Sequence, residues 1–253
     1  MAGIPFHHSS KLVIETGNHP HVLSQTIYPQ HWNGTLEALL AAAQSGSTSS
    51  MLQTWDVIAI QDPAHKEAVA KLAGDQKFIR EAPLFLIFCA NLNRLANISR
   101  KYNQPGAALA SMDMFLMASI DATIAGQNAA VAAESLGLGI CYAGAVRNNA
   151  QQMCELLKLP SNTFGVFGMA VGYANNAGYL EIKPRLPMRE VCHREVWSEE
   201  DQFDEALGSF YVEQMKVGRM FWSEFIAGYL ASGSQDGRED VKRVLQNQSF
   251  KLE

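Results

Sequence analysis

The chain has 253 residues, of which 47% are hydrophobic and 18% are charged, and its formal net charge is -5. This composition predicts a soluble globular protein and excludes a disordered chain, because disordered segments are poorer in apolar residues. The acidic balance also argues against a nucleic-acid-binding protein, which would carry a basic surface.

Cysteine usage and hydropathy predict a cytoplasmic protein that does not cross a membrane. Cys89, Cys141, Cys154 and Cys192 lie far apart, so they form neither a C-x-x-C motif nor an evident disulfide framework. The longest uncharged stretch, 159–180, is interrupted by proline and asparagine and is therefore no transmembrane helix. A reducing compartment fits these features.

The first predicted elements are a helix, a strand and a second helix. From Thr35 the apolar residues recur at helical spacing, and the pattern ends in the polar run 44–50. A strand follows at 55–60. The next helix starts at Pro63, after an aspartate that can cap it, and is expected to end near Gly74.

A long helix rich in small residues is predicted from about residue 111 to 136. Its alanines, serines and glycine would let another helix or backbone come close. We therefore expect this helix at the centre of the molecule or at a subunit interface, and a core helix of a monomer is an equal alternative.

The remaining elements complete the predicted fold. Strands are predicted at 84–90, 140–143 and 164–173, a short helix at 149–157, and further helices after Pro187. Few strands separated by unequal helices favour an α+β fold with a central, mostly antiparallel sheet sandwiched by helices. The chain is expected to form one domain, with 1–33 as an atypical, histidine-rich N-terminal segment and 188–253 as a C-terminal helical extension.

Common catalytic and metal-binding motifs are missing from the sequence. It has no G-x-S-x-G, H-E-x-x-H or P-loop motif. Gly137-Leu138-Gly139 begins like a dinucleotide fingerprint, but Tyr142 stands where the third glycine belongs. The pairs His7-His8 and His19-x-His21 have no cysteine or carboxylate cluster beside them, so no metal site is predicted.

Three other segments would suit a flat, phosphorylated cofactor. The serine-rich run 47–50 offers hydroxyl and N–H groups to ribityl or phosphate oxygens. Glycines around Gly144 leave a strand end almost bare, where a ring could lie against the backbone. Lys183 and Arg185 lie close enough to reach one phosphate. Taken singly, these segments also have ordinary interpretations: a polar loop, tight helix packing and a solvated basic pair.

Several longer motifs follow one another along the chain in a characteristic order and spacing. They are Ser47-Thr48-Ser49-Ser50-Met51-Leu52-Gln53, Leu72-Ala73-Gly74-Asp75-Gln76-Lys77, the run from Gln127 to Gly139, Arg147-Asn148-Asn149, Leu157-Lys158-Leu159-Pro160 and Lys183-Pro184-Arg185-Leu186-Pro187. This series resembles the nitroreductase superfamily, in its branch of NADPH-flavin oxidoreductases and oxygen-insensitive nitroreductases. The resemblance covers about residues 34–190 well and the C-terminal helices loosely.

The resemblance implies a homodimer with two FMN sites at the subunit interface and an FMN-dependent NAD(P)H oxidoreductase activity. A hydride would pass from the nicotinamide to flavin N5 and onward to a small-molecule acceptor, in ping-pong order. The acceptor would be a flavin, a quinone or a nitroaromatic compound.

By position, the resemblance assigns three groups of residues to the FMN site: serines of the turn, residues along the ring, and phosphate-binding cations. They are, in that order, Ser47, Ser49 and Ser50, then Gln76, Tyr142, Ala143 and Gly144, and finally Lys183 and Arg185. The serines would come from the partner subunit. Gly144 would have the catalytic role, because its N–H is aimed at flavin N5.

The N-terminal segment departs from the pattern of this superfamily. An Arg-Ser-x-Arg motif normally binds the FMN phosphate there, whereas the corresponding stretch 18–25 contains no arginine. We expect His19 or His21, with Ser24 or Gln25, to take its place. Two alternatives therefore stay open beside the reductase: a flavin-binding or regulatory homologue without turnover, and a flavin-dependent dehydrogenase or oxidase that does not use nicotinamide.

Overall fold

The structure is a computed structural model that describes residues 23–24, 34–174, 191–197, 222–233, 235 and 237–253. The chain divides into two compact units, residues 1–180 with 236–253, and residues 181–235. The expectation of one domain stays a prediction. Predictions that fall on 1–22 or 175–190 lie outside the described residues.

The described elements follow the predicted order closely. They are β1 (Leu23–Ser24), α1 (Thr35–Gln44), β2 (Trp55–Ile60), α2 (Pro63–Leu72), α3 (Lys77–Glu81), β3 (Leu84–Asn91), α4 (Asn93–Lys101), α5 (Met112–Ser135), β4 (Gly139–Ala143), α6 (Ala150–Leu156), β5 (Thr163–Ala174), α7 (Trp222–Ala231) and α8 (Val241–Asn247). Only α7 belongs to the second unit. The predicted elements from α1 to β5 are confirmed, with ends that differ by a residue or two.

Local side-chain chemistry explains where α2 begins and ends. The Asp62 side chain accepts a hydrogen bond from the His65 N–H at 2.7 Å, and Pro63 occupies the first turn. This cap satisfies one of the N–H groups that have no partner within the helix. After the helix, Gly74 adopts a positive φ of 72°, which glycine does without steric cost.

The sheet is antiparallel at every described pair, and β5 is its centre. β5 pairs with β3, β4 and β1, and β2 pairs with β3. In the β4–β5 pair, Ala143 lies opposite Gly168. The predicted α+β fold with a mostly antiparallel sheet is therefore confirmed.

Helices cover both faces of the sheet. Alternate residues of β3 point to opposite faces, and each set packs against different helices. Phe85, Ile87 and Cys89 belong to a buried cluster that also includes residues of α2, α3 and α6. Leu84, Leu86 and Phe88 belong to a second cluster with residues of α1 and α5. All eight residues of β3 are buried, as expected for a strand sandwiched between helices.

The long helix α5 presents two different faces. Its small residues face the core, where an ideal Cβ added to Gly126 would come 2.5 Å from Phe167 Cζ. The opposite face carries large apolar side chains that are 37% to 56% exposed. These residues, the apolar stripe of α5, are Met112, Leu116, Ile120, Ile124 and Val131. The small-residue face of the helix therefore lies in the core, and its place at a subunit interface stays a prediction.

Two helices, α3 and α4, were not predicted from the sequence. α3 has only five residues, which is too short for a helical period to show. α4 carries mostly polar side chains and has few large apolar residues: Leu95 packs against a buried cluster, and Ile98 is exposed. So short an apolar pattern is a weak signal for a helix.

The C-terminal residues of the chain pack against the core of the first unit at one end of the sheet. Val244 and Leu245 of α8, together with Phe250, belong to a third buried cluster with Ala90 and Phe164. Among the helices of the described ranges, none combines the length and the apolar character that a membrane span requires.

Burial predicts which thiols of the native protein react. Cys89, Cys141 and Cys154 are buried and Cys192 is exposed, and burial raises the pKa of Cys89 to about 12. We expect an aromatic disulfide reagent to modify one thiol per native chain and all four after unfolding in guanidinium, because thiolates react and buried thiols stay protonated. A Cys192→Ser variant should then lose the reaction of the native chain. Rapid modification of two or more native thiols would contradict the packing described above.

Candidate functional site

The structure brings two of the sequence-predicted segments together, Gln76 and the end of β4 with Gly144. The Asn149 side chain donates to Leu72 O at 2.7 Å, which ties the end of α2 to the turn after Gly144. An ideal Cβ built on Gly74 would lie 3.4 Å from the Asn148 side-chain nitrogen. The segment that carries Gln76 is therefore packed beside the segment that starts at Gly144.

Gln76 has an unusual polar atom. Its Oε1 is buried and has no hydrogen-bond partner within the described residues. A buried acceptor without a donor costs about 1–3 kcal/mol, so native proteins rarely leave one unpaired. The atom is suited to accept a hydrogen bond from a ligand N–H or O–H group.

Tyr142, Ala143 and Gly144 differ in what they expose. The Tyr142 side chain packs against α5, where its hydroxyl donates to Gln127 Oε1 at 3.2 Å, and burial raises its pKa to about 12. Ala143 is buried. Gly144 follows at the start of a short 3-10 turn and has no side chain to cover its backbone. Gly144 is therefore the residue of this strand end whose backbone no side chain of its own covers.

Two guanidinium groups converge on Gly144. An ideal Cβ on Gly144 would lie 3.4 Å from Arg147 Nη2 and 3.9 Å from Arg238 Nη2. Arg147 also donates to Val166 O, and Arg238 Nε donates to Asn148 Oδ1 at 2.9 Å. Burial, and secondarily the nearby Arg238, lower the pKa of Arg147.

This pair of arginines has the character of an anion site. Among the described residues, neither Arg147 nor Arg238 forms an ion pair with a carboxylate. Two like charges held together without a counter-ion attract an anionic or electron-rich group. Gly237 holds Arg238 in place: its φ is +85°, and an added Cβ would meet Asn148 O at 2.6 Å.

The serine turn, residues 47–54, lies on the α5 side of the sheet. Ser47, Ser49 and Ser50 are exposed. Three non-glycine residues of the turn have left-handed backbones, Ser50, Met51 and Gln53, with φ of 49°, 59° and 52°. Such a conformation costs about 1–2 kcal/mol per residue, so the turn needs compensating contacts. Within the described part of the chain, no hydrogen bond or ion pair joins this turn to Gly144 or Gln76.

Comparison with known proteins places the chain in a family. The Nitroreductase family matches residues 33–173, and the Nitroreductase family C-terminal domain matches residues 183–253. The chain belongs to the nitroreductase family. It is 40% identical to an oxygen-insensitive NADPH nitroreductase of Salmonella typhimurium over 196 residues. The matched segment covers 75% of this chain and 79% of that protein.

Solved structures of the nitroreductase family share the fold. A nitroreductase from B. subtilis superimposes with a TM-score of 0.80 at 30% identity, covering 92% of this chain and 96% of the other. The NADPH:FMN oxidoreductase from Vibrio harveyi, solved in complex with NAD+, gives a TM-score of 0.75 at 30% identity and covers 93% and 96% of the two chains.

Some predicted site residues of this nitroreductase-family chain cannot be placed. His19, His21, Lys183 and Arg185 lie outside the described residues. Ser24 is described only as part of β1, where it pairs with Tyr173 of β5. Their assignment to the FMN phosphate stays a prediction. For metals, no cluster of three or more ligating side chains occurs in the part of the chain that the structure describes.

Sequence reasoning assigned no role to Arg147 or Asp121, although both carried a signal. Arg147 lies in the motif Arg147-Asn148-Asn149, three residues after Gly144. Asp121 is the only charged residue between Asp113 and Glu134 in a predicted core helix. A charge in such a setting is rarely buried without partners, so its position alone indicates a polar contact.

Proposed function

We propose that this chain is an FMN-dependent NAD(P)H oxidoreductase. The observation that carries the proposal is the strand end at Gly144, where bare backbone meets the guanidinium groups of Arg147 and Arg238. The adjoining segment adds Gln76 Oε1, a buried acceptor for which the described part of the chain holds no donor. Bare backbone, a free acceptor and positive charge are what a flat, anionic cofactor requires.

The named relatives support the same activity. One is called an oxygen-insensitive NADPH nitroreductase, and another an NADPH:FMN oxidoreductase. Both names specify a nicotinamide donor, and the second specifies FMN. We therefore assign FMN as the cofactor and NAD(P)H as the electron donor.

The described residues fit FMN in distinct ways. Gln76 Oε1 would accept from an N–H of the ring or a hydroxyl of the ribityl chain, and the Gly144 N–H would donate to N5. Arg147 and Arg238 would supply positive charge beside the ring. When bound, FMN takes up a hydride at N5 and passes reducing equivalents to an acceptor such as a flavin, quinone or nitroaromatic compound. The protein orients the reactants and supplies the electrostatic environment.

The phosphate of FMN requires positively charged side chains or other strong hydrogen-bond donors. We assign it to Lys183 and Arg185, with His19 or His21 and Ser24 in place of the arginines usual in the superfamily. A neutral imidazole binds phosphate less strongly than a guanidinium group does. FMN affinity should therefore depend on pH and strengthen as the histidines become protonated.

A homodimer completes the proposed site. The apolar stripe of α5 leaves five large side chains exposed, and contiguous exposed apolar surface is typical of interaction faces. Gly46, the residue before the serine turn, borders this stripe, since an ideal Cβ on it would lie 3.1 Å from Ile124 Cγ2. Pairing two chains through α5 would let Ser47, Ser49 and Ser50 reach the flavin of the partner subunit. The four cysteines, none of which forms a disulfide, suit the cytoplasmic location that we assign.

Anaerobic titration of the FMN-loaded protein tests the proposed activity. We expect NADH or NADPH to bleach the flavin absorbance with one equivalent per site, and a nitroaromatic acceptor to restore it. Bound flavin that neither nucleotide bleaches would instead support a homologue without turnover. Oxygen consumption with another substrate, and none with NAD(P)H, would identify a dehydrogenase or oxidase.

A further inference from the structure

Asp121 is a buried carboxylate that the proposed flavin chemistry does not use. It lies in the middle of α5 and is 1% exposed. We infer that Asp121 is a positioning residue for the flavin site: its carboxylate holds the serine turn in the conformation that receives FMN. This inference rests on the proposed function.

Among the described residues, the hydrogen-bond partners of the Asp121 side chain come from the serine turn. The Ser49 N–H donates to Oδ1 at 3.0 Å, and the Thr54 N–H donates to Oδ2 at 3.3 Å. The Thr54 hydroxyl also donates to Oδ2, at 2.7 Å. Both carboxylate oxygens therefore accept hydrogen bonds, and the donors lie near the two ends of the turn.

Asp121 is compensated by hydrogen bonds rather than by an ion pair. Of the cations that the structure describes, none forms a salt bridge with its carboxylate. A buried carboxylate is stable without a cation when several N–H and O–H donors surround it. Because these donors belong to the turn, they stabilise the buried charge of Asp121, and the carboxylate in return stabilises the conformation of the turn.

The backbone of the turn explains why such an anchor is needed. The backbone is in the left-handed region at Ser50, Met51 and Gln53. These residues lie between Ser49 and Thr54, which donate hydrogen bonds to Asp121. An L-residue leaves that region readily unless its surroundings determine it. Without the carboxylate, the exposed serines would sample many conformations. FMN would then bind with lower affinity, because only a fraction of the molecules would have the turn in the binding conformation.

The position of Asp121 also relates the anchor to the proposed dimer. Its neighbours Ile120 and Ile124 are exposed members of the apolar stripe. If the stripe pairs two chains, each Asp121 orders a turn that serves the flavin site of the partner subunit. Loss of the anchor should then weaken FMN binding and leave the dimer intact.

The experiment compares three full-length variants with the wild-type protein by fluorescence titration of FMN. In Asp121→Asn the amide keeps one acceptor and, in either orientation, turns its NH2 group toward the N–H of Ser49 or of Thr54, so we expect the FMN Kd to rise at least 10-fold. Thr54→Val removes only the hydroxyl donor and should raise the Kd a few-fold. Asp113→Asn makes the same chemical change at an exposed position of α5 and should leave the Kd unchanged.

Two further measurements separate positioning from general destabilisation. The visible circular dichroism of bound flavin, taken at saturating FMN, should change in Asp121→Asn, because the serines meet the cofactor differently. Sedimentation velocity should report the same dimer for all variants. If Asp121→Asn does not fold, the Kd and the flavin spectrum of Thr54→Val decide the question.

The inference is overturned if wild-type protein binds FMN and both Asp121→Asn and Thr54→Val bind it with the wild-type Kd and spectrum. It is also overturned if Asp113→Asn weakens binding as much as Asp121→Asn does. Failure of the proposed function is a separate outcome, since it is seen when the wild-type protein itself neither binds FMN nor oxidises NAD(P)H.

Discussion

Replacement of Gly168 by alanine is expected to lower the free energy of unfolding by about 3 kcal/mol, at the upper end of the usual cost of overpacking a core. An ideal Cβ there would overlap Phe85 Cζ and would lie 3.0 Å from both Phe85 Cε1 and Val146 Cγ1. Phe85 is fully buried, so its ring has no free space to move into. Urea unfolding at fixed protein concentration would show the change as a lower midpoint with an unchanged slope.

Gly165→Ala is the matched control, because Gly165 is a buried glycine of the same strand. Of the described atoms, its added Cβ would meet only Ile87 Cγ2, at 3.3 Å, and a small shift of one methyl group relieves that contact. We expect this variant to lose about 1 kcal/mol or less. Equal midpoints for the two variants would show that the Phe85 ring can yield.

The position of Gly168 also connects stability with the site. It lies opposite Ala143, the residue before Gly144. Any displacement of β4 that relieves the added methyl group would therefore shift the Gly144 backbone. The variant is expected to weaken FMN binding as well as to unfold more easily, whereas Gly165→Ala should keep the wild-type FMN Kd.

The sequence predicted the elements whose apolar pattern matches their burial. The run at 84–90 is continuous because β3 is covered on both faces, and the alanines of α5 are small because that helix packs closely on the sheet. Gly74 could be recognised as a helix end because its positive φ is a local property of one residue. In each case a single segment contains the whole physical reason.

The missed features depend on residues that are far apart in the chain. Arg147 and Arg238 are separated by 91 positions, and their approach depends on Gly237 packing against Asn148. Asp121 and Ser49 are 72 positions apart. Spacing along the sequence cannot reveal such pairs, because the fold decides which distant residues meet.

The site itself was predictable only where a resemblance supplied the assignment. Composition and spacing left each of the three cofactor segments with an ordinary alternative. The structure adds an independent reason for one of them, the serine run, because the turn around Ser50 is strained. It adds a second reason for Gln76, which only the resemblance had assigned, because Gln76 Oε1 has no hydrogen-bond partner among the described residues. It also separates the serine turn from Gly144 within one chain, an arrangement that a site shared between two subunits would explain.

Replacement of Arg238 by methionine is expected to lower kcat/KM for NAD(P)H-dependent reduction by about 10- to 100-fold. Methionine keeps much of the aliphatic volume and removes one of the two cations beside Gly144. A hydrogen bond to a charged group contributes about 1.5–3 kcal/mol, and each 1.4 kcal/mol is tenfold.

Arg243→Met is the matched control for this prediction. Arg243 lies on α8 and pairs at the surface with Asp240, with its side chain 61% exposed, so that pair contributes little. Arg238→Lys retains the charge but not the planar fork, and should recover part of the lost activity. Steady-state kinetics of the three variants decide the matter, together with the FMN Kd. If Arg238→Met has the same kcat/KM and FMN Kd as Arg243→Met, the positive charge of Arg238 beside Gly144 has no part in the reaction.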